Sequence, residues 1–344
     1  MPLQLTAGFS SNLRVRPLMD GTVKPQNIDL HFALSPASEL FYRNLKFEEF
    51  DVMEMSIACA LMAMERSEGS RWNWRALPVF LSKSFLFIHL YANTASGIHS
   101  LADLKGKRIG APDYPMDAIL WLCIMLKELH GIDPKNIDWY NGRAKRVSHG
   151  VVLGLDKNPP AGVKLEWIPE NDTLDLMLDR NELDAALLIP SSFQRIGDFE
   201  TIDRYGGVPV AGNPNFLNLF KDRGRAVVTE YFRRTGVIPP NHIIVVKEKV
   251  LREHPWVALE LYKAFQRAKE VAYERARELH STILLFGGGE LEEQAAIFGE
   301  DPYQLGARAN RKMLEIAVQG CIAQGLIKKK FAVEEVFHQT TLDT

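Results

Sequence analysis

Residues 101–118, LADLKGKRIGAPDYPMDA, constrain the fold more than any other stretch. A short amphipathic turn leads into a compact strand from Lys107 to Gly110. A Gly-Ala-Pro turn then delivers the chain into the apolar helix DAILWLCIMLKEL. A strand, a tight turn and a helix start place unpaired N–H groups and a positive dipole end at one spot, which suits an anion. Coming after about a hundred residues of α/β pattern, the block reads as the start of a second lobe that carries half of a ligand cleft.

The preceding residues alternate in type. Leu3 to Phe9 reads as a strand, Ser10 to Asn12 as a turn, and a helix follows through Met19. Ile28 to Leu34 is a second strand, PASELFYRNLKFEEF a helix, and Asp51 to Ile57 a third strand. This β-α-β-α-β order predicts a parallel or mixed sheet between helices. PVFLSKSFLFIHLYAN reads as a further strand. VKLEWIP, DAALLIP and HIIVVKEKV follow as strands, with Ser191 and Ser192 just past the second. HPWVALELYKAFQRAKEVAYERAREL is a long amphipathic helix returning to the first lobe. Crossings near residues 90 and 245 divide the chain into a discontinuous first lobe, 1–90 plus 246–344, and a second lobe, 91–245.

The 344 residues are 46% hydrophobic with a formal net charge of −2. They can bury a sizeable core, and nothing points to nucleic-acid or anionic-membrane partners. No apolar run reaches the roughly twenty residues of a membrane span. The opening LQLTAGF runs directly into strand pattern without the features of a signal peptide, so a cytoplasmic location is expected. Cys59, Cys123 and Cys321 lie in apolar contexts and read as buried free thiols. No Cys/His spacing marks zinc, and Gly287 to Gly289, lacking the Lys-Ser/Thr of a phosphate loop, reads as a linker. No cofactor motif is present and no metal site is assigned, with a metal held by Glu54, Asp117 and His242 left open. A homo-oligomer is left open.

In chain order, RPLMDGTVKPQNIDL, FDVMEMSIA, DLKGKRIGAPDYPM, YFRRTGVIPPNHIIVV, HPWVALELYKAF and EDPYQLGARANRKMLE resemble the 4,5-dihydroxyphthalate decarboxylase family. That family is related to solute-binding proteins. The resemblance implies an α/β, two-lobed, type II periplasmic-binding-protein-like fold, each lobe a mixed sheet flanked by helices, with the cleft between lobes. It also implies non-oxidative decarboxylation of a hydroxylated aromatic carboxylic acid. Departures cluster where the cleft is expected. Leu13 and Arg14 stand for an acidic–Arg pair, Leu86 and Phe87 for an Arg–His pair, and Lys83 for an arginine. Asp117 stands for a threonine and Cys123 for an arginine. Positive charge is lost, so a substrate less anionic than a phthalate is expected. The alternative is a non-catalytic binding protein for a small aromatic or heterocyclic acid.

Ligands of open α/β sheets sit at the carboxyl ends of strands. That rule selects Asn12, Arg14, Arg16, Ser56, Lys83, Tyr114, Ser191 and Ser192 as substrate contacts, and Leu86, Phe87 and Met116 are expected to form the apolar wall against the departing carboxylate. Arg14 or Arg16 would clamp a carboxylate, unless both are solvated. Glu54, inside the apolar run DVMEMSIA, is either a proton donor with a pKa raised by burial or half of an ion pair with an arginine. His242 is a proton donor, a phenolate ligand or a core histidine. Asp117 is either a cleft acid or the N-cap of its own helix.

Overall fold

The computed structural model describes residues 1–69, 71–189, 203, 207–283 and 287–344. Its strands are β1 (Leu3–Phe9), β2 (Ile28–Leu34), β3 (Val52–Ser56), β4 (Trp74–Lys83), β5 (Leu90–Asn93), β6 (Arg108–Ala111), β7 (Asp138–Asn141), β8 (Lys164–Trp167), β9 (Ala185–Leu187), β10 (Phe216–Asn218) and β11 (Pro240–Lys247). They form two mixed sheets, in the orders β2-β1-β3-β11-β4 and β10-β5-β9-β6-β7-β8. In the first, β1 is parallel to β2 and β3, and β11 runs antiparallel between β3 and β4. In the second, β6 is parallel to β7 and β9, and β5 pairs antiparallel with β9 and β10.

Alternation along the strands sorts the side chains. Met53 and Met55 of β3, with Ile243 and Val245 of β11, enter a core shared with Ile109, Trp139 and Leu187 of the second sheet. Val52, Ile244 and Val246 face the other way, onto the long helix Trp256–Thr282 through Leu261 and Phe265. A third cluster, including Leu174, Leu178 and Leu183, covers the far side of the second sheet. The shared core holds the two sheets against each other through the helices Ile57–Glu65 and Asp117–His130.

Three local expectations are corrected. PVFLSKSFLFIHLYAN is not one strand: β4 ends at Lys83, Leu86–His89 is a turn of 3₁₀ helix, and β5 joins the other sheet. The apolar run masked the break because the turn is itself packed, with Phe87 fully buried against Phe85 and Phe220. All of β11, from Pro240 onward, pairs in the first sheet, so the chain has returned there before residue 245. The run Gly287 to Gly289 opens the helix Gly287–Phe298 and is not a free linker. The three cysteines are buried and unpaired, and no described helix is long and apolar enough to cross a membrane.

Gly8 of β1 shows how tightly the first sheet is packed. A Cβ there would lie 2.6 Å from the ring of buried Phe50. Gly8→Ala should therefore lower the unfolding free energy by roughly 1–3 kcal/mol, as overpacking does. Denaturant titration measures this, and an unchanged midpoint would contradict the packing.

Candidate active site in the cleft

Both sheets deliver the carboxyl ends of their parallel strands to one cavity of about 340 Å³. β1 ends in Ser10 to Asn12, β3 in Ser56, and β6 and β7 lead to Met116–Asp117 and Arg143. Because β11 is antiparallel, its beginning, Asn241 and His242, arrives at the same edge. Phe41, Leu86, Met116 and Ile189 supply apolar wall.

Glu54 and His242 meet through sheet register. His242 lies directly opposite Ser56, so Glu54, two residues earlier on β3, is its same-face diagonal neighbour. The imidazole Nδ1 is 3.2 Å from Glu54 Oε2, and the Ser10 backbone N–H donates to Glu54 Oε1. The Glu54 side chain is 1% exposed and that of His242 20%. Burial pushes the Glu54 carboxyl upward, but His242 and the Ser10 hydrogen bonds more than offset it and hold the pKa below the usual value. The expectation of a raised pKa is thus corrected, and the hydrogen-bonding partner is a histidine, not an arginine. An ionised Glu54 orients the ring and leaves Nε2 on its opposite edge, while the Phe41 ring packs edge-on, 4.9 Å between centroids.

Asp117 caps a helix, but not its own. It occupies the first turn of Asp117–His130, whose N-cap is Met116. Its carboxylate reaches across to the other helix start, accepting from Ile57 N at 3.1 Å and Ala58 N at 2.9 Å. Burial raises its pKa to about 7 against the pull of those N–H groups, His242 and the Ser56 hydroxyl. A folded pKa above the unfolded value means the folded chain holds an extra proton between pH ~4 and ~7. Stability from this group is therefore greatest at acid pH and is lost as pH rises through about 7. At about 1.4 kcal/mol per unit, the ceiling is ~4 kcal/mol. Relative to Asp117→Asn, the protein should lose roughly 2–4 kcal/mol between pH 4 and 8, read from unfolding free energies at each pH. Parallel pH curves for the two proteins would rule this out.

Arg143 and His149 were not among the sequence candidates. Arg143, 3% exposed, has its NH1 nitrogen 3.5 Å from Asp113 Oδ2 and 3.0 Å from His149 Nδ1, and its Nε 2.6 Å from Asp203 Oδ1. Asp113, fully buried, also accepts from the Ser148 hydroxyl at 3.0 Å and the His149 N–H at 2.7 Å. The available signal was a strand, DWYN, followed at once by Gly142-Arg143, the same strand-end logic that selected other positions. Among the described residues lining the cavity, Arg143 is the one permanent cation.

Four expected contacts are engaged elsewhere. Arg14 donates to the Leu81 carbonyl and stacks over Tyr303, 3.8 Å from the ring centroid. Lys83 is buried, donating to Gln304 O at 3.0 Å and Asn310 Oδ1 at 2.8 Å, and burial lowers its pKa to about 8. Phe87 is core, and Tyr114 is fully buried with its hydroxyl on Gln324 O at 3.1 Å. Arg16 is exposed beside the rim, 3.4 Å from Ser11 Oγ. Asn12, Ser56 and Met116 do line the cavity. Asn12 bridges Leu81 O and Arg14 N, and Ser56 caps Ile57–Glu65 by accepting from Cys59 N. Ser191 and Ser192 lie outside the described residues. Among the described residues no three His, Cys, Asp or Glu side chains converge as a metal-ligand set.

No protein-family model matches the chain. The solved structure of the aliphatic sulphonate binding protein SsuA from Escherichia coli superposes with a TM-score of 0.51 at 10% identity, covering 98% of this chain and 93% of that one. The Candida albicans CA3427 gene product gives 0.50 at 12% identity, covering 98% of each. At such identity the likeness concerns the fold, which is that of a periplasmic binding protein. A 4,5-dihydroxyphthalate decarboxylase from Comamonas testosteroni is 29% identical over 346 residues, 99% of this chain and 98% of that protein. One of the same name from Pseudomonas putida is 35% identical over 187 residues, 54% of this chain and 70% of that protein. With a binding-protein fold, a cleft built at its strand ends and this degree of identity, the chain belongs to the 4,5-dihydroxyphthalate decarboxylase family.

Proposed function

We propose that the chain is a non-oxidative carboxy-lyase acting on a hydroxylated aromatic carboxylic acid of the 4,5-dihydroxyphthalate type. The observation that carries the reading is the Glu54–His242 hydrogen bond, set at the cleft edge near a second proton site, Asp117. Loss of CO₂ from an aromatic ring needs a proton at the ring carbon that carries the carboxylate. His242 Nε2–H supplies it, with Glu54 as the positioning residue that fixes the ring. The carbon–carbon electron pair stays on the ring carbon, which keeps the new proton, and CO₂ departs; water then reprotonates His242. Asp117, poised near neutrality, exchanges the proton of a phenolic hydroxyl. Arg143 holds a carboxylate that the product retains, in register with the acid. The leaving carboxylate sits against Phe41, Leu86 and Met116, where loss of its charge is favoured.

The reading includes a cytoplasmic location. Incubating purified protein with 4,5-dihydroxyphthalate and a set of hydroxybenzoates, and measuring CO₂ against the ring product, tests the activity. Stoichiometric release is expected from at least one acid. Binding without CO₂ from any of them would replace the decarboxylase with a solute-binding protein.

A further inference from the structure

His149 is buried at the edge of the cleft, and neither nitrogen of its ring is idle. Nδ1 lies 3.0 Å from the NH1 group of Arg143, and Nε2 lies 2.8 Å from the backbone carbonyl of Ser38 and 3.4 Å from the same NH1. The partners fix the tautomer. The Ser38 carbonyl can only accept, so Nε2 carries the proton; in the neutral ring Nδ1 is then bare, and it is the nitrogen nearer the guanidinium, which can only donate. A second proton would set N–H against N–H and cation against cation. Burial and the Arg143 charge accordingly hold the His149 pKa well below its usual value.

The two partners belong to different halves of the molecule. Arg143 follows β7 of the second sheet, whereas Ser38 is in the first turn of the helix Ala37–Phe47, between β2 and β3 of the first. Asp113 holds the backbone of His149 at 2.7 Å and the Ser148 hydroxyl at 3.0 Å, so the short helix His149–Val152 that bears the ring is fixed to the second sheet. One imidazole therefore connects the cleft cation to the opposite wall. Its ring also packs 5.9 Å from Phe41, the ring that touches His242.

We propose that His149, as a neutral Nε2–H imidazole, is a positioning residue that aims Arg143 at the anionic group of the ligand and ties that aim to the Ser38 wall of the cleft. The inference rests on the reading of Arg143 as a carboxylate anchor. It assigns to His149 selectivity for charged over neutral ligands, rather than a proton-transfer step. Removing the ring nitrogens leaves the NH1 edge of Arg143 without its neutral acceptor and unlinks it from Ser38, and the anchor loses register.

The probes are 3,4-dihydroxybenzoate and its uncharged carboxamide, with affinities measured by calorimetry on the full chain. His149→Phe keeps the ring packing against Phe41 and removes both hydrogen bonds. His149→Asn restores an acceptor near the Nδ1 position. The parent protein should prefer the acid. His149→Phe should shrink that preference at least tenfold while carboxamide affinity changes less than threefold, and His149→Asn, which restores the acceptor but not the Ser38 link, should recover part of it. With 4,5-dihydroxyphthalate, KM should rise in His149→Phe far more than kcat falls. A merely structural role would weaken acid and amide alike and depress kcat with KM; that result overturns the proposal. Arg143→Lys, which loses the planar fork, separates the two levels. If it leaves the acid preference intact, the anchor reading fails. If it abolishes the preference while His149→Phe does not, the anchor stands and the role of His149 is refuted.

Discussion

Replacing His242 with asparagine should cut turnover by roughly 10²–10⁴ while substrate affinity changes much less, the range expected when a general acid is removed. Asparagine keeps an amide near the Nδ1 position, within reach of Glu54 Oε2, which accepts at 3.2 Å in the parent. The titratable nitrogen on the opposite edge disappears. Only the proton donor is needed more in the transition state than in the ground state, so the loss falls on kcat. Glu54→Gln should show a smaller loss, because the amide still holds the ring. That ordering distinguishes a positioning carboxylate from a donor. If Glu54→Gln proves the more damaging, the buried carboxylate is the acid and His242 serves it. Near-normal kcat in both variants would remove the pair from the chemistry.

Much of this cleft was legible because sheet proteins place ligands by topology. Alternating strand and helix patterns located β1, β2, β3 and β11, and strand ends then selected Asn12, Ser56, Asp117 and His242, all of which line the cavity. Single residues inside apolar runs were also informative, since Glu54 in β3 had to be paired to be buried. Partners distant in sequence were not legible. Lys83 and Arg14 read as cleft cations, but their contacts, Asn310 and Tyr303, lie more than 220 residues away along the chain, and nothing local records them. Arg143 was hidden by the opposite error. In GRAKR it looks like one of several solvated cations, and its contacts with Asp113, Asp203 and His149 make it a buried, fixed one. Asp117 was read as a cleft acid or as the cap of its own helix, because capping is sought locally. The helix it caps begins sixty residues earlier, and only the meeting of the two helix starts reveals it.

Arg143→Met should be the most destabilising single change in the cleft, costing roughly 3–5 kcal/mol, the range for removing one partner of a buried ion pair. That is a large part of the roughly 5–15 kcal/mol that holds a typical fold. Methionine fills similar space, so the loss reports charge rather than cavity. Asp113, fully buried, would keep its hydrogen bonds from Ser148 and His149 but lose the nearest cation. Burial already raises its pKa above the usual carboxylate value, with Arg143 as the main opposing influence. Without the arginine the pKa rises further, and the folded protein takes up a proton that the unfolded chain does not. A folded pKa above the unfolded one gives stability that is present at acid pH and lost as pH rises. The Arg143→Met penalty should therefore be smaller at pH 5 than at pH 8, and adding Asp113→Asn should recover part of it at pH 8. Denaturant unfolding of the two single variants and the double variant gives the coupling directly. Additive losses at both pH values would mean that Asp113 and Arg143 do not act as a pair, and the cleft cation would then owe its position to His149 and Asp203.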